Sequence, residues 1–211
     1  MKFLHIFILV SISGFSAFGQ QDCELRLDKD SIRVYLCEMT NSRYKSVKTT
    51  FEVNSSLSQL AAMVLDIDHY DAWQYKTVSA TILKKVSEKE IIYHTEASAP
   101  MIASNRDFVI DLTIRQDPRT RVLTIDAISI PDYLPVRPNV IRVPFSKAQW
   151  VVRPLNASTL QVDYLIEIDL GGAVPPWIVN MVAHQAPYQT FRDFRDKIGD
   201  YRGIKVGFIK D

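Results

Sequence analysis

Residues 105–115 constrain the fold of this chain more than any other stretch. Phe108, Ile110, Leu112 and Ile114 share one face of an extended segment, and Asp107, Val109, Asp111, Thr113 and Arg115 share the other. A period of two marks a strand with one face covered and one face wet, the habit of an antiparallel sheet. Residues 159–169 repeat it: Leu160, Val162, Tyr164, Ile166 and Ile168 lie opposite Gln161, Asp163, Glu167 and Asp169. The same reading predicts strands over 31–38, 45–53, 76–86, 90–97, 121–128 and 140–152, separated by polar turns. A sheet with so long an apolar face must bury it against something.

The cover is encoded after the last strand. Gly171-Gly172 permits a sharp turn, and Pro175-Pro176 suits the first turn of a helix predicted over 175–198. Trp177, Met181, His184, Tyr188 and Phe191 form one stripe of that helix. Pro187 is expected to kink it, letting it follow a curved sheet. A shorter helix is expected earlier, where Ser56 caps Leu57, Leu60, Ala61 and Val64 and Gln59 reaches back to complete a capping box. The resulting class is α+β: a curved antiparallel sheet wrapped around a long C-terminal helix, enclosing an apolar cavity.

The first 19 residues read as a signal peptide. Lys2 precedes an apolar run from Phe3 to Phe18, too short for a membrane span, and Ala17-Phe18-Gly19 has the small-x-small form of a cleavage site. Residues 20–211 then form a single domain, periplasmic or secreted. Removal of Lys2 leaves basic and acidic residues in balance at 24 each, with no basic block, so nucleic acid is not an expected partner. Cys23 and Cys37 are the only cysteines, and an oxidising compartment favours a bridge between them.

Signatures of metalloprotease, thiol-redox, serine-hydrolase and phosphate-loop chemistry are missing from the sequence, and no cofactor is expected. Asp66, Asp68 and His69 form a compact cluster that reads as a solvated loop, not a metal site. Arg106 and Asp107 read as structural, an ion pair or hydrogen-bond site pinning the strand start to neighbouring segments, with contact to a ligand as the alternative. The three-proline stretch 130–139 exposes Tyr133 and Leu134, and Pro131, Tyr133, Leu134 and Pro135 are the expected gate, the point of a transient membrane contact.

Several pieces in order carry a family resemblance: residues 30–35, Asp66-Ile67-Asp68-His69-Tyr70-Asp71-Ala72-Trp73, Ser104-Asn105-Arg106-Asp107-Phe108-Val109, Val140-Ile141-Arg142-Val143, and Asp169 through Asn180. Over about 25–198 the chain resembles START (steroidogenic acute regulatory protein-related lipid transfer) domains of the helix-grip superfamily. The resemblance implies a tunnel for one lipid or sterol-like molecule, gated by the C-terminal helix and a neighbouring loop. Its expected lining is Phe108, Ile110, Leu112, Ile114, Tyr164, Ile166, Trp177, Met181, His184 and Tyr188. Sterol-carrying members keep an arginine six residues after the Arg of the Arg-Asp-Phe-Val motif, where this chain has Leu112. The expected function is an exported, monomeric, non-enzymatic carrier of a hydrophobic small molecule or lipid. The alternatives are a polyketide cyclase or dehydratase-like enzyme using His94, Glu96, Tyr164 and His184, and an interaction module with a collapsed cavity.

Overall fold

A computed structural model of the chain describes residues 22–38, 45–99, 104–173 and 181–211. The signal-peptide reading and Trp177 lie outside the described residues, as do residues 175–180 of the predicted terminal helix. Ten strands are described: β1 (Asp22–Lys29), β2 (Ile32–Glu38), β3 (Lys45–Asn54), β4 (Thr77–Ser87), β5 (Glu90–Ala97), β6 (Asn105–Gln116), β7 (Leu123–Ser129), β8 (Val140–Arg142), β9 (Phe145–Pro154) and β10 (Thr159–Asp169). They form one sheet in the order β1-β2-β3-β10-β9-β7-β6-β5-β4, all antiparallel, with short β8 pairing parallel to the start of β6.

The observed strands follow the predicted alternation closely, with two differences. β1 was not predicted. It joins β2 through Asp30 and Ser31, both at positive φ (51° and 57°), in a two-residue hairpin that lacks the usual glycine and so carries a weak turn signal. The predicted strand 140–152 is two strands, β8 and β9, interrupted at Val143-Pro144; proline cannot donate to a ladder and holds its predecessor out of register. Cys23 and Cys37 face each other across β1 and β2 and are joined by a disulfide.

Helix α1 (Leu57–Leu65) begins where expected, with Ser56 Oγ accepting the Gln59 backbone N–H at 3.2 Å. The other half of the capping box is absent: the Gln59 side chain instead donates to the Ile198 carbonyl at 2.5 Å, tying α1 to the end of the chain. A 3₁₀ turn, Ile67–Ala72, leads into β4. The terminal helix opens with a π-helical turn, Met181–Gln185, and continues as α2 (Ala186–Lys197). Pro187 explains the junction. It lacks the N–H that would bond back to residue 183, and the turn ahead of it is the wider π form.

α2 lies in the concave face of the sheet, and aromatic rings hold it there. Phe191 stacks 4.7 Å from Phe51, 5.0 Å from Tyr164 and 5.2 Å from Trp150, while Phe194 meets Trp73 at 5.2 Å. Centroid distances of this size in tilted and edge-on geometry are favourable for aromatic pairs. Gly171 and Gly172 adopt φ of 66° and 64° on the way to the helix, and a Cβ on Gly171 would meet Pro144 Cδ at 3.0 Å. Close approach to the β8–β9 break therefore adds a second demand for glycine at that position.

Candidate functional site

The sheet and α2 do not close completely on each other. A cavity of about 260 Å³ remains between them, near the lower end of the range for small-molecule pockets. Strands supply most of its walls by alternation. β6 contributes Arg106, Phe108, Ile110 and Leu112; β5 contributes Tyr93, Thr95 and Ala97; β10 contributes Tyr164, Ile166 and Ile168; β9 contributes Ser146, Ala148 and Trp150. Tyr70 and Trp73 close one side, and Ala186, Pro187, Thr190 and Phe191 of α2 form the lid. Gln74 to Thr77 and Ala97 to Ala99 also border the space, and the backbone N–H of Tyr75 donates to Thr190 Oγ1 at 3.1 Å, linking that segment to the lid.

Of the expected lining residues, Phe108, Ile110, Leu112, Tyr164 and Ile166 border the cavity. Ile114, although on the same face of β6, is fully buried in the packed core beyond the cavity's end. Tyr188 does not line the space: α2 turns it toward the β1–β2 hairpin, where its hydroxyl donates to Asp30 and its ring sits 5.3 Å from Lys29 Nζ. His184 is half-buried in the π turn and also lies outside the lining. Met181 begins that turn, and Trp177 lies outside the described residues. The signal that would have identified Tyr93, Thr95 and Trp150 was present in the same alternation. Tyr70 and Trp73 had no local signal, because only the path of the chain after α1 brings them to the space.

The two charges at the start of β6 part company. Asp107 points to the outer face and is completely buried. Arg142 Nε and Nη2 donate to its two oxygens at 3.0 and 2.9 Å, and His94 Nε2 lies 3.0 Å from Oδ2. Burial pushes the Asp107 carboxyl up, but the Arg142 and His94 contacts outweigh it and leave the group below its usual value. Arg142 Nη1 also donates to the carbonyls of Pro131 and Leu134, and Val143 N–H to the Asp107 carbonyl. Beside it, Glu96 accepts from Asn105 and Arg137 at 2.6 Å each; the Asn105 bond is the main cause of its lowered pKa.

The expected gate lies away from the described lining of the cavity. Pro131, Tyr133, Leu134 and Pro135 do not border the cavity, and Arg142 holds their segment against the outer face of β6. The segments that do border it are 74–77, 97–99 and the first turns of α2. Arg106 lies on the other face of β6 from Asp107. Alternation places it on the Phe108 face, where it borders the cavity; its one described hydrogen bond, from Nη1 to the Ser104 carbonyl at 2.6 Å, is local to the strand start.

His94 and Glu96 lie on the opposite face of β5 from Tyr93, Thr95 and Ala97, and neither borders the cavity. The acid–base candidates are thus not gathered at one place. Inside, burial raises the hydroxyl pKa of Tyr70, Tyr93 and Tyr164, which stay neutral at physiological pH. His69 bonds to Asp66 at 3.0 Å and Asp66 accepts from Tyr201; among the described residues no group of side chains has the makings of a metal site.

Comparison with known proteins agrees with this geometry. The family model described as START domain matches residues 24–202. An uncharacterized protein of Pseudomonas aeruginosa is 25% identical over 175 residues, covering 83% of this chain and 86% of that one. The mitochondrial steroidogenic acute regulatory protein of Gallus gallus is 28% identical over 145 residues, covering 67% of this chain and 51% of its own length. Among solved structures, a STAR-related lipid transfer protein fragment from Xanthomonas axonopodis superimposes with a TM-score of 0.76 at 25% identity, covering 84% of this chain and 98% of that one.

Proposed function

Because the chain belongs to the START domain family over residues 24–202, we propose that it is an exported carrier enclosing one hydrophobic small molecule, foremost a lipid, between its sheet and its C-terminal helix. The START fold is a binder of hydrophobic ligands such as lipids. The observation that carries the finer reading is the cavity itself. Its walls are mostly apolar and aromatic, and a few buried polar tips stand among them, the composition of a site that orients a greasy guest. Burial of apolar ligand surface at roughly 25 cal/mol per Å² supplies the driving force. Ligand exchange requires α2 to part from the 74–77 and 97–99 segments, a lid motion of the kind that sets many exchange rates.

Export is part of the proposal. The Lys2–Phe18 run and the Ala17-Phe18-Gly19 site support it, and a Cys23–Cys37 bridge belongs to oxidising compartments. The carrier reading also takes the protein as a monomer without enzymatic activity or nucleic-acid partner, in transient contact with membranes when it loads and unloads. Native mass spectrometry of protein purified from its own host, before and after organic extraction, tests cargo and processing together. A discrete extractable mass and an N-terminus at Gln20 are expected. A bare mass that takes up nothing from a lipid panel would remove the carrier reading, and a retained N-terminus in the cytosolic fraction would remove export.

A further inference from the structure

Arg106 is a buried cation with unfilled bonding capacity. It is 7% exposed, it borders the cavity, and its Nε–H has no hydrogen-bond partner. Asp107, its chain neighbour, faces the other side of the sheet and is engaged by Arg142 and His94. No carboxylate lines the cavity among the described residues; the charged side chains there are Arg106 and, at the exposed rim, Lys76. A second buried donor is also orphaned: Trp73 borders the same cavity, and its Nε1–H has no partner.

Orphaned buried donors are costly and uncommon, and an unpaired buried guanidinium more so. Burial lowers the Arg106 pKa, the mark of a charged form short of stabilisation. Both orphans are donors, so what the cavity lacks is acceptors. A neutral apolar guest would leave the cation uncompensated, whereas an oxyanion would satisfy it through the planar fork that arginine presents.

We propose that the carried molecule is a single-headed anionic amphiphile whose carboxylate or phosphate oxygens sit on Arg106 while its apolar body lies along Phe108, Ile110 and Trp150. The small volume favours one chain or a compact ring system over a two-chain lipid. The inference rests on the carrier reading above, and narrows it from hydrophobic ligands in general to anions.

The test holds the chain constant and varies the head. Hexadecanoate, hexadecyl phosphate, hexadecanol and methyl hexadecanoate compete against one fluorescent hydrophobic probe on the delipidated full-length mature protein. At least one anion is expected to bind about ten-fold or more tighter than both neutral compounds, the size of a charge-assisted hydrogen bond, and the tighter anion identifies the head. In Arg106→Gln the gap between anions and neutral compounds is expected to close. Equal affinity of anions and neutrals in the wild type, or an anion preference undiminished in Arg106→Gln, overturns the inference and leaves the carrier reading standing. Failure of all four to bind saturably sinks the carrier reading itself.

A stability readout covers the case in which the variant folds poorly. A ligand-seeking arginine contributes little to the empty protein, so Arg106→Met is expected to keep or raise its Tm. A fall of more than about 6 °C would assign Arg106 a structural role and overturn the proposal.

Discussion

Asp107 holds the outer face of the molecule together at one point. Arg142 grips both of its oxygens and the carbonyls of the 131–134 segment, so one guanidinium links β6, β8 and the proline-rich stretch. Removing one partner of a buried pair leaves the other charge uncompensated. Arg142→Met is therefore expected to cost about 3–5 kcal/mol in urea denaturation. The pair also predicts a pH response. Asp107 has a folded pKa below its unfolded value, so its contribution to stability is fully present above the unfolded value, about 3.9, and is lost as pH falls through the lower folded value. Glu96 acts in the same sense. Stability measured between pH 6 and 2 should fall on the acid side of about pH 4, and the acid limb should flatten in Asp107→Asn, which starts from a lower plateau. At this scale the sequence told part of the story. A buried Asp at a strand start needs a partner, but nothing local to Asp107 points to Arg142, 35 residues away. Arg106 was readable from alternation alone, since it shares the period-two face of Phe108 and Ile110.

Among the elements, α2 has two jobs that pull in different directions. Phe191 and Phe194 anchor it in an aromatic cluster, whereas Ala186, Pro187 and Thr190 lie over the cavity. Phe191→Ala is expected to destabilise by about 3–5 kcal/mol, the range for emptying a buried aromatic site. Its check is the shift in urea midpoint. Thr190→Val should act differently. It removes the acceptor of the Tyr75 N–H while nearly conserving shape, a loss of about 1 kcal/mol, and should speed ligand release several-fold in stopped-flow displacement at almost unchanged Tm. A release rate identical to wild type would mean that the lid opens elsewhere. The helix was legible from its apolar stripe and from Pro187, but its phase was not. Tyr188 was placed on the cavity side by spacing along an ideal helix, and the π turn ahead of α2 changes which residues face inward. The cap at Ser56 was legible for the same reason that Gln59 was not: the first bond is local, and the second goes to Ile198 across the fold.

For the molecule as a whole, the sheet divides into a part that surrounds the cavity and a part that does not. No residue of β1 or β2 borders the cavity, and the Cys23–Cys37 bridge joins those two strands at the sheet's edge. Reducing the bridge is expected to lower global stability by roughly 3 kcal/mol, the chain-entropy value for a loop near this length. Ligand affinity should survive below the new unfolding transition. Parallel urea and ligand titrations with and without a reductant decide this; loss of binding before unfolding would show that the edge strands support the cavity after all.

Most strand positions, β1 and the β8–β9 break aside, the capped first helix, the Gly-Gly turn and the α+β class were determined by the sequence alone, because each depends on period, cap or backbone freedom within a few neighbouring residues. Which members of one strand face meet space and which meet packed side chains was decided only in the tertiary structure. Ile110 and Ile114 sit on the same face of β6, four residues apart, yet one borders the cavity and the other is sealed in the core. The difference lies in where α2 and the Tyr70–Trp73 segment come down on the sheet. That is a long-range contact, and residues 105–116 carry no record of it.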